Sequence, residues 1–183
     1  ADKEQNLIFA DLLQRKQSIQ TAMDHKTAFL LICGGYQLFG QYYKDQDGNV
    51  IEGLKFFDYY TVAGNRDERC IGNIAVETTM DGKTFKAVGF ENHGGQTKNV
   101  STPFAKVLSG HGNEMHSGFE GFMNEQVLAT YMHGPLLPKN PDIADAILKR
   151  ALKKRYGEVT LEPLDDTIEY QAQNVMLERL QCK

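Results

Sequence analysis

The residues best suited to chemistry are a cysteine and a histidine, each of which ends an apolar run. Cys33 follows the run 27–32 and precedes two glycines, Gly34 and Gly35, while His133 ends the second run. A strand, a sharp turn and a helix in that order form a nucleophile elbow, where unpaired N–H groups at the helix N-terminus favour the thiolate. Histidine has a pKa near neutrality, which suits a general base. The pattern predicts a cysteine nucleophile paired with a histidine base.

Both residues also have an ordinary structural interpretation. A cysteine at a strand end is commonly a small buried hydrophobic residue, although a core cysteine does not require the two glycines that follow Cys33. A histidine after a strand is commonly structural or exposed. The following Gly134-Pro135 and the pairing with Cys33 favour the role of base for His133. We therefore predict that these two residues are catalytic.

A second group of candidates lies between and beside the predicted strands. Residues 89–95 read Gly-Phe-Glu-Asn-His-Gly-Gly, which is typical of a polar turn and predicts a loop that presents Asn92 and His93 to a polar substrate. His93 is also the second candidate for the base. Arg69 precedes a strand, where it is either a surface cap or a planar clamp for a substrate carboxylate. The other histidines are predicted to be solvated, with no metal site: His25, His111 and His116.

Composition limits the class of protein. The 183 residues, 41% apolar and 24% charged, predict one globular domain over 1–183. The net charge of −4 gives no reason to expect nucleic-acid binding. No apolar stretch reaches the ~18 residues that span a bilayer, and no signal peptide is visible. Three cysteines, an odd number without zinc spacing, favour free thiols in a reducing, cytoplasmic setting.

The coarse pattern of elements predicts a layered α/β fold around one buried parallel strand. Asp2 is a plausible N-cap for the first helix, and Asp81-Gly82 is typical of a hairpin turn. Helices are predicted over 3–23, 35–43, 141–155 and 166–180, strands over 27–32, 54–62, 70–79, 84–91, 104–108 and 126–132, a turn over 45–49 and a loop over 110–121.

The motif that runs from Cys33 to Gln37, Cys-Gly-Gly-Tyr-Gln, together with His133-Gly-Pro, resembles the class I (triad-type) glutamine amidotransferases. The resemblance is greatest to the cobyric-acid-synthase-like branch. Within it, residues 78–95 and 131–141 are similar to glutaminase subunits of lipid II isoglutaminyl synthases. The resemblance covers nearly the whole chain. It implies a layered, flavodoxin-like α/β fold with a mixed sheet and hydrolysis of L-glutamine to glutamate and ammonia.

The resemblance also implies roles for individual residues. Cys33 would form the γ-glutamyl thioester and His133 would move the proton, while the backbone N–H of Gly34 would serve the oxyanion hole. No cofactor is expected in this chain, because ATP and Mg²⁺ would bind a partner subunit. The positions expected to bind substrate are Gly34, Gly35, Gln37, Arg69, Asn92 and His93.

The implied partner is an ATP-dependent, Mur-ligase-like subunit (MurT-type) in a heterodimer, which uses the ammonia to amidate the D-glutamate of lipid II to D-isoglutamine. Pro135 occupies the position where the family usually has the acidic third member of the triad. The resemblance implies that the partner chain supplies this acid, which fits the fact that an imidazole without a carboxylate holds its tautomer poorly. Family strands and a Gly-rich oxyanion loop that precede the first helix are expected to be missing here.

Three alternative functions remain open at the level of sequence. A glutaminase of the same branch would differ only in its acceptor, such as a cobyric-acid-type substrate, although this chain has no Gly-rich phosphate-binding loop. A catalytically silent interaction subunit would explain the missing acid but not the intact Cys33 and His133. A thiol hydrolase or redox sensor of similar architecture is disfavoured by Gln37 and Asn92-His93.

Overall fold

The computed structural model describes residues 2–182, with side chains except those of residues 2–7 and 66, so the predicted cap of Asp2 lies outside the described side chains. The helices are α1 (Asp2–Gln14), α2 (Lys16–Asp24), α3 (Gly34–Phe39), α4 (Pro141–Tyr156) and α5 (Thr167–Arg179), with a 3-10 turn at Arg66–Glu68. The strands are β1 (Phe29–Ile32), β2 (Tyr42–Lys44), β3 (Val50–Glu52), β4 (Tyr60–Ala63), β5 (Cys70–Met80), β6 (Lys83–His93), β7 (Gly95–Lys98), β8 (Ala105–Ser109), β9 (Phe119–Glu120), β10 (Phe122–Met123), β11 (Val127–Thr130) and β12 (Met132–His133).

The described strands form three sheets. The chain crosses between two of them near His133, the predicted general base. The first sheet has the order β1-β11-β10, the second β12-β6-β5-β8-β9 and the third β3-β2-β4-β7. Strand β1 is parallel to β11, with Ile32 opposite Thr130. Only Tyr131 separates β11 of the first sheet from β12 of the second. The mixed α/β fold that the sequence predicted is confirmed.

The longest hairpin, β5–β6, determines which side chains of the second sheet face solvent. Its turn is Asp81-Gly82, as predicted, and both residues have positive φ (51° and 81°), which matches a tight hairpin turn. Pairing is continuous from Cys70 opposite His93 to Met80 opposite Lys83. The middle of the hairpin is buried on both faces, where Ile74, Ala75 and Val76 are all buried. Towards its open end, side chains alternate between a buried face and an exposed one, and the exposed face carries Ile71 and Asn92.

Two apolar clusters support the region around Cys33. One packs the second sheet against α4 and includes Ile74, Leu128 and Ile143. The other is aromatic and lies beneath α3, where Tyr36 contacts Tyr59 and Tyr131 with ring centroids 4.9 and 5.1 Å apart. Aromatic pairs at such distances add to the stabilisation from burial, so the elbow rests on a rigid base.

Several predicted elements were wrong in extent. The helix predicted over 3–23 breaks at Arg15, between α1 and α2. Helix α3 ends at Phe39, because the backbone becomes extended at Gly40 (φ −76°, ψ −165°). Only glycine fits there, since a Cβ at Gly40 would lie 2.5 Å from the carbonyl oxygen of Tyr59. The strand predicted over 54–62 begins only at Tyr60, because the preceding backbone N–H groups bond to carbonyls at the end of α3 instead.

Residues 89–95 are not the loop that the sequence predicted. Strand β6 continues to His93, and β7 begins at Gly95. The segment 110–121 is irregular as predicted, apart from the short strand β9. The predicted helices over 141–155 and 166–180 are confirmed to within one residue at each end.

Asn140, which is fully buried, links three parts of the fold, and we expect its loss to destabilise the protein. Its Oδ1 accepts from Val88 N (2.8 Å) and Gln173 Nε2 (3.0 Å), and its Nδ2 donates to Val88 O (2.8 Å) and Leu136 O (2.7 Å). Asn140→Ala should lower the free energy of unfolding by about 3 kcal/mol. Each buried polar group that is left without a hydrogen-bond partner costs about 1–3 kcal/mol. Urea unfolding measures this.

Asn124 provides the matched control for that substitution. Its Oδ1 accepts from two backbone N–H groups, those of Gln126 and Val127, but the residue is exposed. Water can therefore replace the side chain, and Asn124→Ala should cost no more than about 1 kcal/mol. Equal losses for the two variants would show that Asn140 is not the anchor described here.

Candidate active site

Cys33 occupies a nucleophile elbow between β1 and α3, as predicted. Its backbone has φ 50° and ψ −105°, a strained conformation for a residue with a side chain. Its N–H donates to Thr130 O at 2.9 Å, and its carbonyl accepts from Gln37 N at 3.1 Å. The positive φ of the sharp turn is adopted by Cys33 itself and not by Gly34 or Gly35. A Cβ at Gly34 would meet no described atom within 4 Å, so this glycine leaves space beside the thiol.

The thiol of Cys33 is not acidic in this chain. Burial raises its pKa, a hydrogen bond from the backbone of Gly34 and the charge of Arg69 lower it, and the charge of Glu120 raises it. Burial is the largest of these effects, and the net pKa is above the ordinary value. The N–H of Gly34 at the start of α3 favours the thiolate as predicted, but burial outweighs it, so the expectation of an acidic thiol was wrong. Cys33 needs a base to react at neutral pH.

His133 can be that base. It ends β12, three residues after Thr130, whose carbonyl bonds the backbone of Cys33. The two predicted catalytic residues therefore leave their strands at the same edge. Burial lowers the pKa of His133, and the charge of His93 lowers it further. The imidazole is neutral at pH 7, and its buried Nε2 has no hydrogen-bond partner among the described residues.

The exposed face of the hairpin continues from His133, because the β12–β6 register places His133 opposite Phe90. Ile71 pairs with Asn92, and both are exposed. The guanidinium of Arg69 donates to Asn92 Oδ1 from Nε (3.2 Å) and Nη2 (2.7 Å). Arg69 also acts electrostatically on Cys33. We call this surface the site face, which consists of Arg69, Ile71, Asn73, Phe90, Asn92 and His133.

The structure places His93 and Gln37 inside the protein. His93 is 3% exposed, its ring stacks on Tyr131 at 3.6 Å and 7°, and its Nδ1 lies 2.7 Å from Gly95 O. The prediction that a loop presents His93 to substrate is thus corrected: alternation along β6 turns its side chain to the buried face. Gln37, also 3% exposed, donates from Nε2 to the Tyr131 hydroxyl at 3.2 Å. Its contact with glutamine stays a prediction, as do the substrate roles of Gly34 and Gly35.

Comparisons with known proteins agree with this arrangement. A family model described as a CobB/CobQ-like glutamine amidotransferase domain matches residues 1–141. The chain belongs to this family. The prediction from the Cys-Gly-Gly-Tyr-Gln and His-Gly-Pro motifs is therefore confirmed, including the cobyric-acid-synthase-like branch.

Three relatives span different shares of this amidotransferase chain. It is 36% identical to the lipid II isoglutaminyl synthase (glutamine-hydrolyzing) subunit GatD of Staphylococcus aureus. The aligned 179 residues are 98% of this chain and 72% of the relative. The corresponding subunit of Streptococcus pneumoniae is 38% identical over 159 residues, 86% of the chain and 60% of that protein. A probable cobyric acid synthase of Methanocaldococcus jannaschii is 32% identical over 79% of the chain but only 31% of its own length.

Glu120 and Tyr131 neighbour the candidate site of this amidotransferase domain, and the sequence did not predict them. Glu120 is fully buried; its Oε1 accepts hydrogen bonds from the Thr130 hydroxyl and, at 2.8 Å, from Tyr131 N. Burial raises the pKa of Glu120. The Tyr131 hydroxyl lies 2.5 Å from Thr97 Oγ1. Tyr131 sits two residues before the predicted base, whereas Glu120 falls in a predicted loop without any local signal.

The three remaining histidines lie in other parts of the domain. His25 and His116 are exposed as predicted, but His111 is half-buried and its Nδ1 has no described partner. Within residues 2–182 as described, no group of three or more His, Cys, Asp or Glu side chains is arranged to hold a metal ion. None of the described helices combines the length and the apolar character needed to cross a membrane.

Proposed function

We propose that this chain is the glutaminase subunit of a lipid II isoglutaminyl synthase. It hydrolyses L-glutamine to glutamate and ammonia and delivers the ammonia to an ATP-dependent, Mur-ligase-like partner, which amidates the D-glutamate of lipid II. The observation that carries this proposal is the elbow thiol of Cys33 at the same strand edge as the neutral imidazole of His133. Two relatives whose names state this reaction support the acceptor.

The proposed mechanism follows from the protonation states of the resting site. His133 accepts the proton of the Cys33 thiol as sulfur attacks the carboxamide carbon of glutamine. The N–H of Gly34, which bonds the sulfur at rest, stabilises the oxyanion, and such a donor is typically worth 10²–10³-fold in kcat. His133 then gives its proton to the departing amine, so that ammonia leaves and a γ-glutamyl thioester remains. Water hydrolyses the thioester to glutamate and regenerates the thiol.

Substrate recognition is proposed for Arg69 and Asn92 at the site face. Two donors of the guanidinium bond to Asn92 Oδ1, which fixes the plane of Arg69 near the thiol. A planar guanidinium held in one orientation is well suited to binding a carboxylate. The α-carboxylate of glutamine is the group that it would bind.

The partner is proposed to complete the site in trans. Among the described residues, no carboxylate forms an ion pair with His133, and Pro135 occupies the usual position of the family's acid. Ile71 and Phe90, which are 51% and 37% exposed, lie on the site face beside His133 and give the partner an apolar contact. The partner would also bind ATP and Mg²⁺. We place the heterodimer in the cytoplasm, where the three free cysteines remain reduced.

A charge placed on the site face is expected to weaken the partner complex. Ile71→Asp should lower affinity at least about tenfold, because burying an unpaired carboxylate in an apolar contact costs more than ~1.4 kcal/mol. Calorimetric titration with the Mur-ligase-like subunit measures this. Ile168 on α5 is 76% exposed and provides the matched control, since Ile168→Asp should leave affinity unchanged. An unaltered affinity for Ile71→Asp would exclude the site face from the interface.

The proposed function is tested by following nitrogen from donor to acceptor. The chain, the Mur-ligase-like subunit, ATP, lipid II and glutamine with heavy nitrogen in its amide are combined, and the lipid product is analysed by mass spectrometry. We expect heavy nitrogen in the α-carboxamide of the D-isoglutamine. Ammonia release without transfer to lipid II would favour another acceptor, and no release with the partner present would contradict a glutaminase.

A further inference from the structure

The nucleophile and the base are held by different sheets, and the connection between them is short. Cys33 is tied to the first sheet by its N–H bond to Thr130 O at 2.9 Å. His133 belongs to the second sheet, where it pairs with Phe90. The chain crosses from one sheet to the other at Tyr131. The separation of thiol and imidazole therefore depends on the backbone from Thr130 to Met132.

One buried carboxylate holds this crossing. Oε1 of Glu120 accepts from Tyr131 N at 2.8 Å and from the Thr130 hydroxyl. The same hydroxyl oxygen accepts from Met132 N at 3.0 Å. All four residues are fully buried. We call these contacts the crossing clamp; it consists of Glu120, Thr130, Tyr131 and Met132.

Glu120 is itself anchored on the far side of the clamp. Asn113 fixes the following residue, Gly121, through both backbone groups, with Gly121 N to Asn113 Oδ1 at 2.8 Å and Asn113 Nδ2 to Gly121 O at 2.9 Å. Asn113 is only 3% exposed. Asn113 therefore holds the backbone next to Glu120, while the Glu120 carboxylate holds the backbone of the crossing.

We propose that Glu120 is a positioning residue for the glutaminase reaction, holding the sheet crossing so that His133 lies against Cys33. This inference rests on the proposed function. Burying a carboxylate is costly, and a buried charge is weak evidence of a purely stabilising role. No hydrogen bond joins Glu120 to Cys33 among the described residues, and Glu120 acts through the backbone between the two catalytic residues.

The two oxygens of Glu120 allow geometry to be separated from charge. Oε1 makes both clamp contacts, whereas Oε2 has no hydrogen-bond partner among the described residues. In Glu120→Gln, the amide oxygen can accept the same two hydrogen bonds, so the crossing clamp is kept. Glu120→Ala removes the acceptor, and Thr130→Val removes the hydroxyl that links Glu120 to Met132.

The kinetic test compares these variants by ammonia release from glutamine. We expect kcat to fall about 10²-fold in Glu120→Ala and Thr130→Val with KM within about twofold, since small displacements of catalytic groups cost about this much. Glu120→Gln should restore kcat to within about threefold of the wild type. Thr78→Val is the matched control: it removes another buried hydroxyl, which donates to Phe104 O at 2.6 Å, and should leave kcat unchanged.

A second readout needs no turnover and separates failure of this inference from failure of the proposed function. Iodoacetamide alkylation of Cys33 is measured by peptide mass spectrometry with and without His133→Asn. We expect the added substitution His133→Asn to slow alkylation of Cys33 in the wild-type background and in Glu120→Gln. It should have no effect in Glu120→Ala or Thr130→Val, because the His133 imidazole influences the Cys33 thiol only while the two are adjacent.

The outcomes are distinct. If the wild type releases no ammonia with its partner, the proposed function fails, while the alkylation cycle still tests the clamp. Equal slowing by His133→Asn in Glu120→Ala and in the wild type would overturn the inference. So would a loss of kcat in Glu120→Gln as large as that in Glu120→Ala. If Glu120→Ala does not fold, Thr130→Val against Thr78→Val decides the question.

Discussion

Replacing Cys33 by alanine is expected to abolish glutamine hydrolysis, with a loss in kcat on the order of 10⁴–10⁶-fold. The loss is large because the thiol forms a covalent bond to substrate that neither His133 nor a water can replace at a comparable rate. The methyl group of alanine leaves the backbone of the elbow as it is, with the same positive φ that Cys33 adopts. Coupled-enzyme measurement of ammonia and glutamate, with the partner present, gives the rate.

Cys182 provides the control for that experiment. It is a second half-buried thiol, near the C-terminus, where its Sγ lies 3.2 Å from Leu180 O and packs beside Ala75, Val88 and Leu177. Cys182→Ala should retain the wild-type rate. Wild-type activity in Cys33→Ala would remove the thiol from the mechanism, and an equal loss in Cys182→Ala would indicate general damage to the fold.

Replacing His133 by asparagine is expected to lower kcat by about 10³-fold, the range for loss of a positioned general base. KM for glutamine should change little, because His133 acts on the proton and not on the binding of the carboxylate. Asparagine keeps a polar side chain at the position but cannot accept the thiol proton. Steady-state kinetics with the partner present measures both constants.

The pH dependence of the wild type tests the same role for His133. The base works when neutral, and burial lowers its pKa below the ordinary value of 6.5. The acid limb of kcat/KM should therefore lie below about pH 6.5 and be lost in His133→Asn. His25, exposed at the end of α2, is the control, since His25→Asn should change neither rate nor profile. A wild-type limb above pH 7, or full activity in His133→Asn, would contradict the assignment.

The positions of Cys33 and His133 at strand ends were predictable because their signals are local. Each residue directly follows or ends a strand, and glycines come next in the sequence. The Asp81-Gly82 turn was likewise predictable, since that dipeptide adopts the positive φ angles of a tight hairpin. The family motifs then extended these local signals to a fold and an activity.

Residues 89–95 were misassigned for a physical reason. In β6 the polar Glu91 and His93 are buried, while Phe90 and Asn92 are exposed. This reverses the usual alternation, in which the apolar side chains face the core. The buried carboxylate of Glu91 is tolerated because another segment satisfies it: it accepts hydrogen bonds from the backbone of His111 (2.8 Å) and of Gly112 (3.0 Å). Such long-range compensation leaves no pattern in the local sequence.

The raised pKa of the Cys33 thiol and the crossing clamp could not be predicted from the sequence, for the same reason. The helix N-terminus beside Cys33 predicted an acidic thiol, but burial by residues distant in sequence outweighs it. Glu120 contacts Thr130 and Tyr131, ten and eleven residues further along the chain, from the two-residue strand β9. The pKa of the thiol and the crossing clamp both depend on tertiary packing and not on any sequence motif.

The most direct test of the central claim is to capture the covalent intermediate. The protein and its Mur-ligase-like partner are mixed with glutamine, quenched in acid within the first turnovers, and the peptide that contains Cys33 is weighed. We expect a γ-glutamyl adduct on Cys33 that forms and decays at the rate of ammonia release and is absent from Cys33→Ala. Ammonia release without any adduct on Cys33, or with an adduct on another residue, would contradict the assignment of this thiol as the nucleophile.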